Sequence, residues 1–139
     1  MRNFIRSVGI SVGAILLSAA SCSAPQQSVG GEIAVDTVGA RAVIAQLEVD
    51  ARALGKTDGC ATTAQCRSAP VGARPCGGPR TYLAYCAATT DSVALYKKLD
   101  DLKAAEMKLN ASLGLTGTCD FLMPPQVASQ GGSCRAVSP

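Results

Sequence analysis

Apolar positions along this chain fall into two helical rows separated by a segment of no clear period. Ile44, Leu47, Ala51 and Leu54 recur at alternating steps of three and four, and Ala40 and Ile33 extend the row upward. That is one face of a 3.6-residue period, and it predicts a helix over Glu32–Leu54. Glu48, Asp50 and Arg52 fall away from that face. Gly55 is placed to stop the helix in a left-handed cap, while Gly39 weakens its start. The second row is Leu95, Leu99, Leu102, Leu109 and Leu113, with Ala105 or Met107 beside it. It predicts a helix from Asp91 or Ser92 to Leu113, capped by the side chain of Thr90 or Asp91 and ended by Gly114. Asp100–Lys103 and Lys103–Glu106 read as i,i+3 pairs on its wet face. Both rows read as the seam of a two-helix core. A membrane-surface helix would carry a basic polar face, and this one is mixed in sign.

Strand signals are shorter and weaker. Cys66–Gly72 predicts a strand that Pro70 confines to an edge, since proline cannot donate to a ladder. Arg80–Cys86 (RTYLAYC) and Thr118–Met123 (TCDFLM) hold strand formers, and Pro124-Pro125 breaks the latter. Val127–Ser129 and Ser133–Val137, joined across Gln130-Gly131-Gly132, read as a short hairpin. The expected fold class is α+β: two amphipathic helices packed on a small irregular antiparallel sheet, stapled by disulfides.

The apolar run nearest the N-terminus is of another kind. Arg2 and Arg6 precede Val8–Leu17, which is uncharged, and Ser18–Ser21 (SAAS) is small throughout. A basic start, an apolar middle and a small-residue exit are the order of a secretory signal, here residues 1–21. The run falls well short of the roughly 20 apolar residues a spanning helix needs. Ala19-Ala20-Ser21-Cys22 resembles the lipobox of bacterial lipoproteins, although leucine is usual where Ala19 stands. The resemblance implies lipidation of Cys22, and Ser23 after it implies the outer membrane in a Gram-negative host. Ordinary cleavage near Ala20 is the alternative. Residues 22–31 are polar, with Pro25 and a glycine pair, and read as a flexible tether. Residues 32–139 are then one domain.

Composition sharpens this reading. The 139 residues carry 13 Lys plus Arg against 10 Asp plus Glu, a formal charge of +3. Removing the signal takes away Arg2 and Arg6, so 11 face 10 and the domain is near +1. No run of like charge remains, which argues against nucleic acid. The chain has no His and no Trp, which excludes histidine-dependent triads, dyads and metal sites. A carboxylate-only hydrolase finds no pair of acids that must converge. Asp100-Asp101 and Glu48/Asp50 read as solvated.

Seven cysteines is an odd number. Assigning Cys22 to lipid leaves Cys60, Cys66, Cys76, Cys86, Cys119 and Cys134, which can pair completely. In an exported chain disulfides are the default. Six cysteines allow fifteen pairings, and spacing does not choose among them. The preferred arrangement docks one or both tail cysteines, Cys119 and Cys134, on the Cys60–Cys86 region. No C-x-x-C is present, and the Cys60–Cys66 spacing suits zinc poorly, so no metal, no cofactor and no catalytic residue is expected.

Cys76-Gly77-Gly78-Pro79, then Tyr82-Leu83-Ala84-Tyr85, then Ala88-Thr89-Thr90-Asp91 form an unusual series. With Gln65-Cys66-Arg67, Val71-Gly72-Ala73 and the closing cysteines, the stretch from Asp58 to Arg135 resembles a group of small exported bacterial proteins of uncharacterised role. In that group a small polar residue is common where Cys86 stands, so no disulfide connectivity carries over. The residues themselves suggest that the C-G-G-P loop presents Arg74, Arg80, Tyr82 and Tyr85 to a partner, since Arg and Tyr are frequent interface anchors. An architectural role for the loop, with both tyrosines buried, is the competing expectation. The functional expectation is a non-enzymatic cell-envelope protein, lipid-anchored in the outer membrane or periplasm, that binds another envelope protein or component. The alternative is a secreted inhibitor of a hydrolase presenting the loop around residues 71–80.

Overall fold

The computed structural model describes residues 36–137. The signal, Cys22, the tether and the first residues expected of the opening helix lie outside the described residues. Helix α1 spans Thr37–Leu54, strands β1 and β2 span Cys66–Val71 and Thr81–Cys86, and helix α2 spans Ser92–Ser112. Strands β3 (Gln126–Gln130) and β4 (Ser133–Val137) follow. The class is α+β, with two separate two-stranded antiparallel sheets in place of the single sheet expected.

Local chemistry sets the helix ends. Asp36 caps α1, accepting from the Gly39 N–H at 3.0 Å, and Asp91 caps α2, accepting from the Ala94 N–H at 3.0 Å. Thr90 is spent elsewhere, donating to the Lys56 carbonyl at 3.2 Å. Gly114 (φ +57°) ends α2 in the left-handed region as expected, but Gly55 has φ −76° and does not. Gly55 has a packing reason instead, because a Cβ there would run into the Leu83 side chain.

Ladder register assigns faces to β1 and β2. Ala69 lies opposite Leu83 and Val71 opposite Thr81, while Cys66 lies opposite Cys86 and Pro70 opposite Tyr82. Side chains alternate across a strand, so Ala69, Val71, Leu83 and Tyr85 share one face and Cys66, Cys86 and Tyr82 the other. The first face packs with Ala51, Leu95, Leu99 and Leu102, and with Ile44, Leu47 and Leu54 at its margin, to form the main core. The second face carries a smaller core of Cys60, Cys66, Cys86 and Cys134, flanked by Val127 of the hairpin. The β1–β2 ribbon is thus a middle layer, with helices on one side and the tail on the other.

Two expectations are corrected. Thr118–Met123 forms no strand: among the described residues its carbonyls at Asp120 and Leu122 accept from side chains of Arg74 and Tyr82, not from a neighbouring ladder. Pro124 and Pro125, which follow, have no N–H to contribute. Glu106 is not on the wet face of α2. It occupies the buried row between Leu102 and Leu109, and the other ion pairs that α2 makes among the described residues are the exposed Lys97–Asp101 and the half-buried Lys98–Asp50. The hairpin is present, its first strand one residue longer at each end, with Gly131-Gly132 as its turn.

Candidate functional site

Three cysteine pairs stand at disulfide distance. Cys60–Cys86, Cys66–Cys134 and Cys76–Cys119 have Cα separations of 5.6, 5.5 and 5.3 Å, within the usual range for the bond. Both tail cysteines therefore dock on the Cys60–Cys86 region, as preferred. The sulfurs of Cys60, Cys86 and Cys134 lie within 4.8 Å of one another, but each is bonded, which removes the thiolate a metal would need. Disulfides persist in oxidising compartments.

The loop from Gly72 to Arg80 is clamped from α2. Glu106 and Asn110, one helical turn apart, take both main-chain groups of Ala73: Glu106 Oε2 accepts its N–H at 2.5 Å and Asn110 Nδ2 donates to its carbonyl at 3.2 Å. The other Glu106 oxygen accepts from Arg80 Nε and Nη2 at 3.2 and 3.0 Å. Arg80 Nη2 also reaches Glu48 Oε2 at 2.5 Å, which ties α1 to the same cluster. Glu48 is thus not simply solvated. The hydrogen bond from Arg52, and then that from Arg80, hold its carboxyl below its ordinary pKa of 4.5. The same partners, Glu48 first and Glu106 second, push the Arg80 guanidinium up. Gly72 is required here, because its φ is +72° and a Cβ would overlap the Glu106 carboxylate.

Within the loop, the Arg74 N–H donates to the Gly78 carbonyl and the Gly77 N–H to the Arg74 carbonyl, each at 3.0 Å. Gly77 and Gly78 both have positive φ, which closes the turn beside Cys76. The Cys76–Cys119 bond then joins the turn to the tail. Arg74 donates to the Asp120 carbonyl, and the Tyr82 hydroxyl donates to the Leu122 carbonyl at 3.1 Å. A cleft of about 480 Å³ opens between the loop and the end of α2, lined by Arg74, Pro75, Lys103, Met107, Asn110 and Leu115 among others.

The four residues expected to face a partner are placed as follows. Tyr85 is 4% exposed, in the main core, with its ring edge-on to Tyr96 at 6.5 Å; it is not presented. Arg80 is held by two carboxylates. Arg74 and Tyr82 come together on the tail, and both point their polar ends at its main chain. Arg74 Nε is buried and has no partner among the described residues. The lipidation candidate, Cys22, lies outside the described residues.

The most exposed large apolar side chains at this end of the molecule belong to the tail. Phe121 is 84% exposed and Met123 68%, with Leu122 between them at 38%. The sequence holds a signal for this, an apolar triplet between Asp120 and two prolines, in a stretch whose strand formers point to a ladder instead. Glu106 was missed because its charge was weighed above its position. The steps Leu99, Leu102, Glu106, Leu109 place it squarely in the apolar row. The arrangement is one of shape: Glu106 and Arg80 satisfy each other and the loop, and the six described cysteines are bonded. None of the described helices is long and apolar enough to cross a membrane. Comparison with known proteins found no matching family model, no matching curated protein and no matching solved structure.

Proposed function

We propose that this chain is an exported cell-envelope protein, held to the membrane by a lipid on Cys22, whose work is binding and not catalysis. The observation that carries the reading is cysteine pairing. The six described cysteines pair with one another, which leaves Cys22 as the odd one of seven. A cysteine directly after a basic, apolar and small-residue leader is where lipoprotein processing acts. Acyl chains hold a protein to a bilayer because each buried methylene contributes about 0.8 kcal/mol. The clamped loop and bonded tail support a binding role, since a surface fixed before encounter loses little entropy on association.

The intact mass of the protein from the membrane fraction decides the anchor. The expected species starts at Cys22 and carries acyl chains, and Cys22→Ala abolishes that species. A water-soluble mature chain beginning at Ser21 or later, without lipid, overturns the anchored reading.

A further inference from the structure

The tail from Leu115 to Pro125 runs without turn or bend and joins no ladder. Among the described residues, no main-chain group between 116 and 125 bonds to another main-chain group. The segment is nonetheless fixed at three positions within four residues. Cys119 is bonded to Cys76, the Asp120 carbonyl takes Arg74, and the Leu122 carbonyl takes Tyr82. Each of those three anchors sits in or beside the loop that Glu106 and Asn110 clamp. The carbonyls of 120 and 122 are thereby pinned toward the protein, while Phe121 and Met123 stand largely in solvent.

We infer that residues 119–123 are a preorganised peptide-like ligand for an extended-peptide cleft, and that the partner is an endopeptidase whose primary pocket takes a large apolar side chain, with Phe121 as the side chain inserted. The inference rests on the binding reading above and names its partner class. Three properties select this occupant. A main chain with no ladder partner among the described residues is what an added β-strand partner bonds to. A bilayer interior leaves such main-chain groups unsatisfied at a cost of several kcal/mol each, so an unpaired segment is a poor membrane insert. Aromatic anchors with few rotatable bonds, held in place before encounter, carry a disproportionate share of interface energy.

Arg74 and Tyr82 are positioning residues in this scheme. They bond the main chain on either side of Phe121 and do not themselves enter the cleft. The Cys76–Cys119 bond and the two carbonyl contacts would hold both sides of the Phe121–Leu122 peptide in place within the enzyme, which favours tight occupancy over turnover.

The test uses the full oxidised protein against chymotrypsin and subtilisin, which accept large apolar side chains, with trypsin as the comparator. The expected result is inhibition of at least one of the first two and none of trypsin. Phe121→Ala weakens that inhibition by about thirtyfold or more, and Phe121→Lys moves it to trypsin. Because Phe121 is mostly in solvent, neither change threatens the fold. Arg74→Ala with Tyr82→Phe leaves Phe121 in place but raises hydrolysis of the Phe121–Leu122 bond, read by peptide mass. Absence of inhibition by the wild type, or inhibition indifferent to both Phe121 changes, overturns the inference. So does a Phe121→Ala effect confined to association with phosphatidylglycerol vesicles, which assigns the surface to a bilayer. An effect confined to the sedimentation state overturns it too, assigning the surface to a second copy of the chain. None of these outcomes touches the Cys22 anchor, which the N-terminal mass decides separately.

Discussion

At the scale of single residues, Glu106 does the most. Its side chain is 9% exposed, yet it sits in a row of leucines. Burying a carboxylate is costly unless it is paired and hydrogen-bonded, and here both oxygens are engaged. Spacing alone places Glu106 in the row, so its burial was legible in the sequence. Its reason was not, because the Ala73 N–H it accepts lies 33 positions away in the chain. Local periodicity says which face a residue occupies and nothing about a partner that only the fold brings near. The expected ranking of variants separates the two roles of the side chain. Glu106→Gln keeps an acceptor for Ala73 and loses charge, so it should cost about 1–2 kcal/mol in urea unfolding. Glu106→Leu completes the apolar row but strands the Ala73 N–H and one side of Arg80, and should cost about 3 kcal/mol. Adding Arg80→Met to Glu106→Leu should recover part of that loss. Stability of Glu106→Leu equal to wild type would remove the clamp from the account.

At the scale of elements, the helices and the hairpin could be read and the tail could not. Caps, apolar rows and the Gly131-Gly132 turn are encoded within a few residues, and Asp91, Gly114 and β3–β4 fall where those signals put them. The 118–123 segment holds strand formers, but a strand needs a partner ladder, and the neighbouring elements meet it with side chains instead. Elements are also joined by charge in ways the helical pattern does not announce. Asp50 of α1 accepts from Lys98 of α2 at 3.2 Å, and Glu48 of α1 from Arg80 beside β2. The hydrogen bonds from Gln46 and then Lys98 hold the Asp50 carboxyl below its ordinary 3.8, as Arg52 and Arg80 hold Glu48 below 4.5. Groups that titrate lower folded than unfolded stabilise the fold above their unfolded pKa, and that contribution fades as pH falls through the folded value. The α1 contacts should therefore be fully effective above about pH 5 and weaken progressively below it. Unfolding free energy followed against pH should show a flatter acid limb in Glu48→Gln with Asp50→Asn than in wild type. Identical slopes would mean that other carboxylates carry the acid sensitivity.

At the scale of the whole molecule, the disulfides decide how the layers stay together. That the tail docks on the middle of the chain was legible, because four cysteines lie between the helices and two lie beyond them. Individual partners were not legible, since Cys66 and Cys86 stand opposite in the ladder and yet each bonds elsewhere, to Cys134 and Cys60. The bonds span 26, 68 and 43 positions for Cys60–Cys86, Cys66–Cys134 and Cys76–Cys119. Loop closure in the unfolded chain then gives about 3.5, 4.4 and 4.0 kcal/mol for each bond taken alone. Those values lie within about 1 kcal/mol of one another, so position should distinguish the bonds more clearly than loop length. Cys60–Cys86 and Cys66–Cys134 fill the smaller core, whereas Cys76 and Cys119 are exposed and join the clamped loop to the free-running tail. Replacing Cys76 and Cys119 together by Ala should leave both helices and both sheets in place, as read by amide exchange, and speed exchange only around residues 116–123. Replacing Cys66 and Cys134 together should free β3–β4 from the β1–β2 ribbon. The hairpin would then be a two-stranded element with little apolar cover, and such elements are marginal in water. Amide protection across Gln126–Val137 should collapse while the helix amides keep theirs. If the hairpin stays protected in that variant, its hold comes from the Ser129 and Thr63 contacts and the main-chain bonds at Gly132 and Cys134, and the disulfide serves only to restrain the unfolded chain.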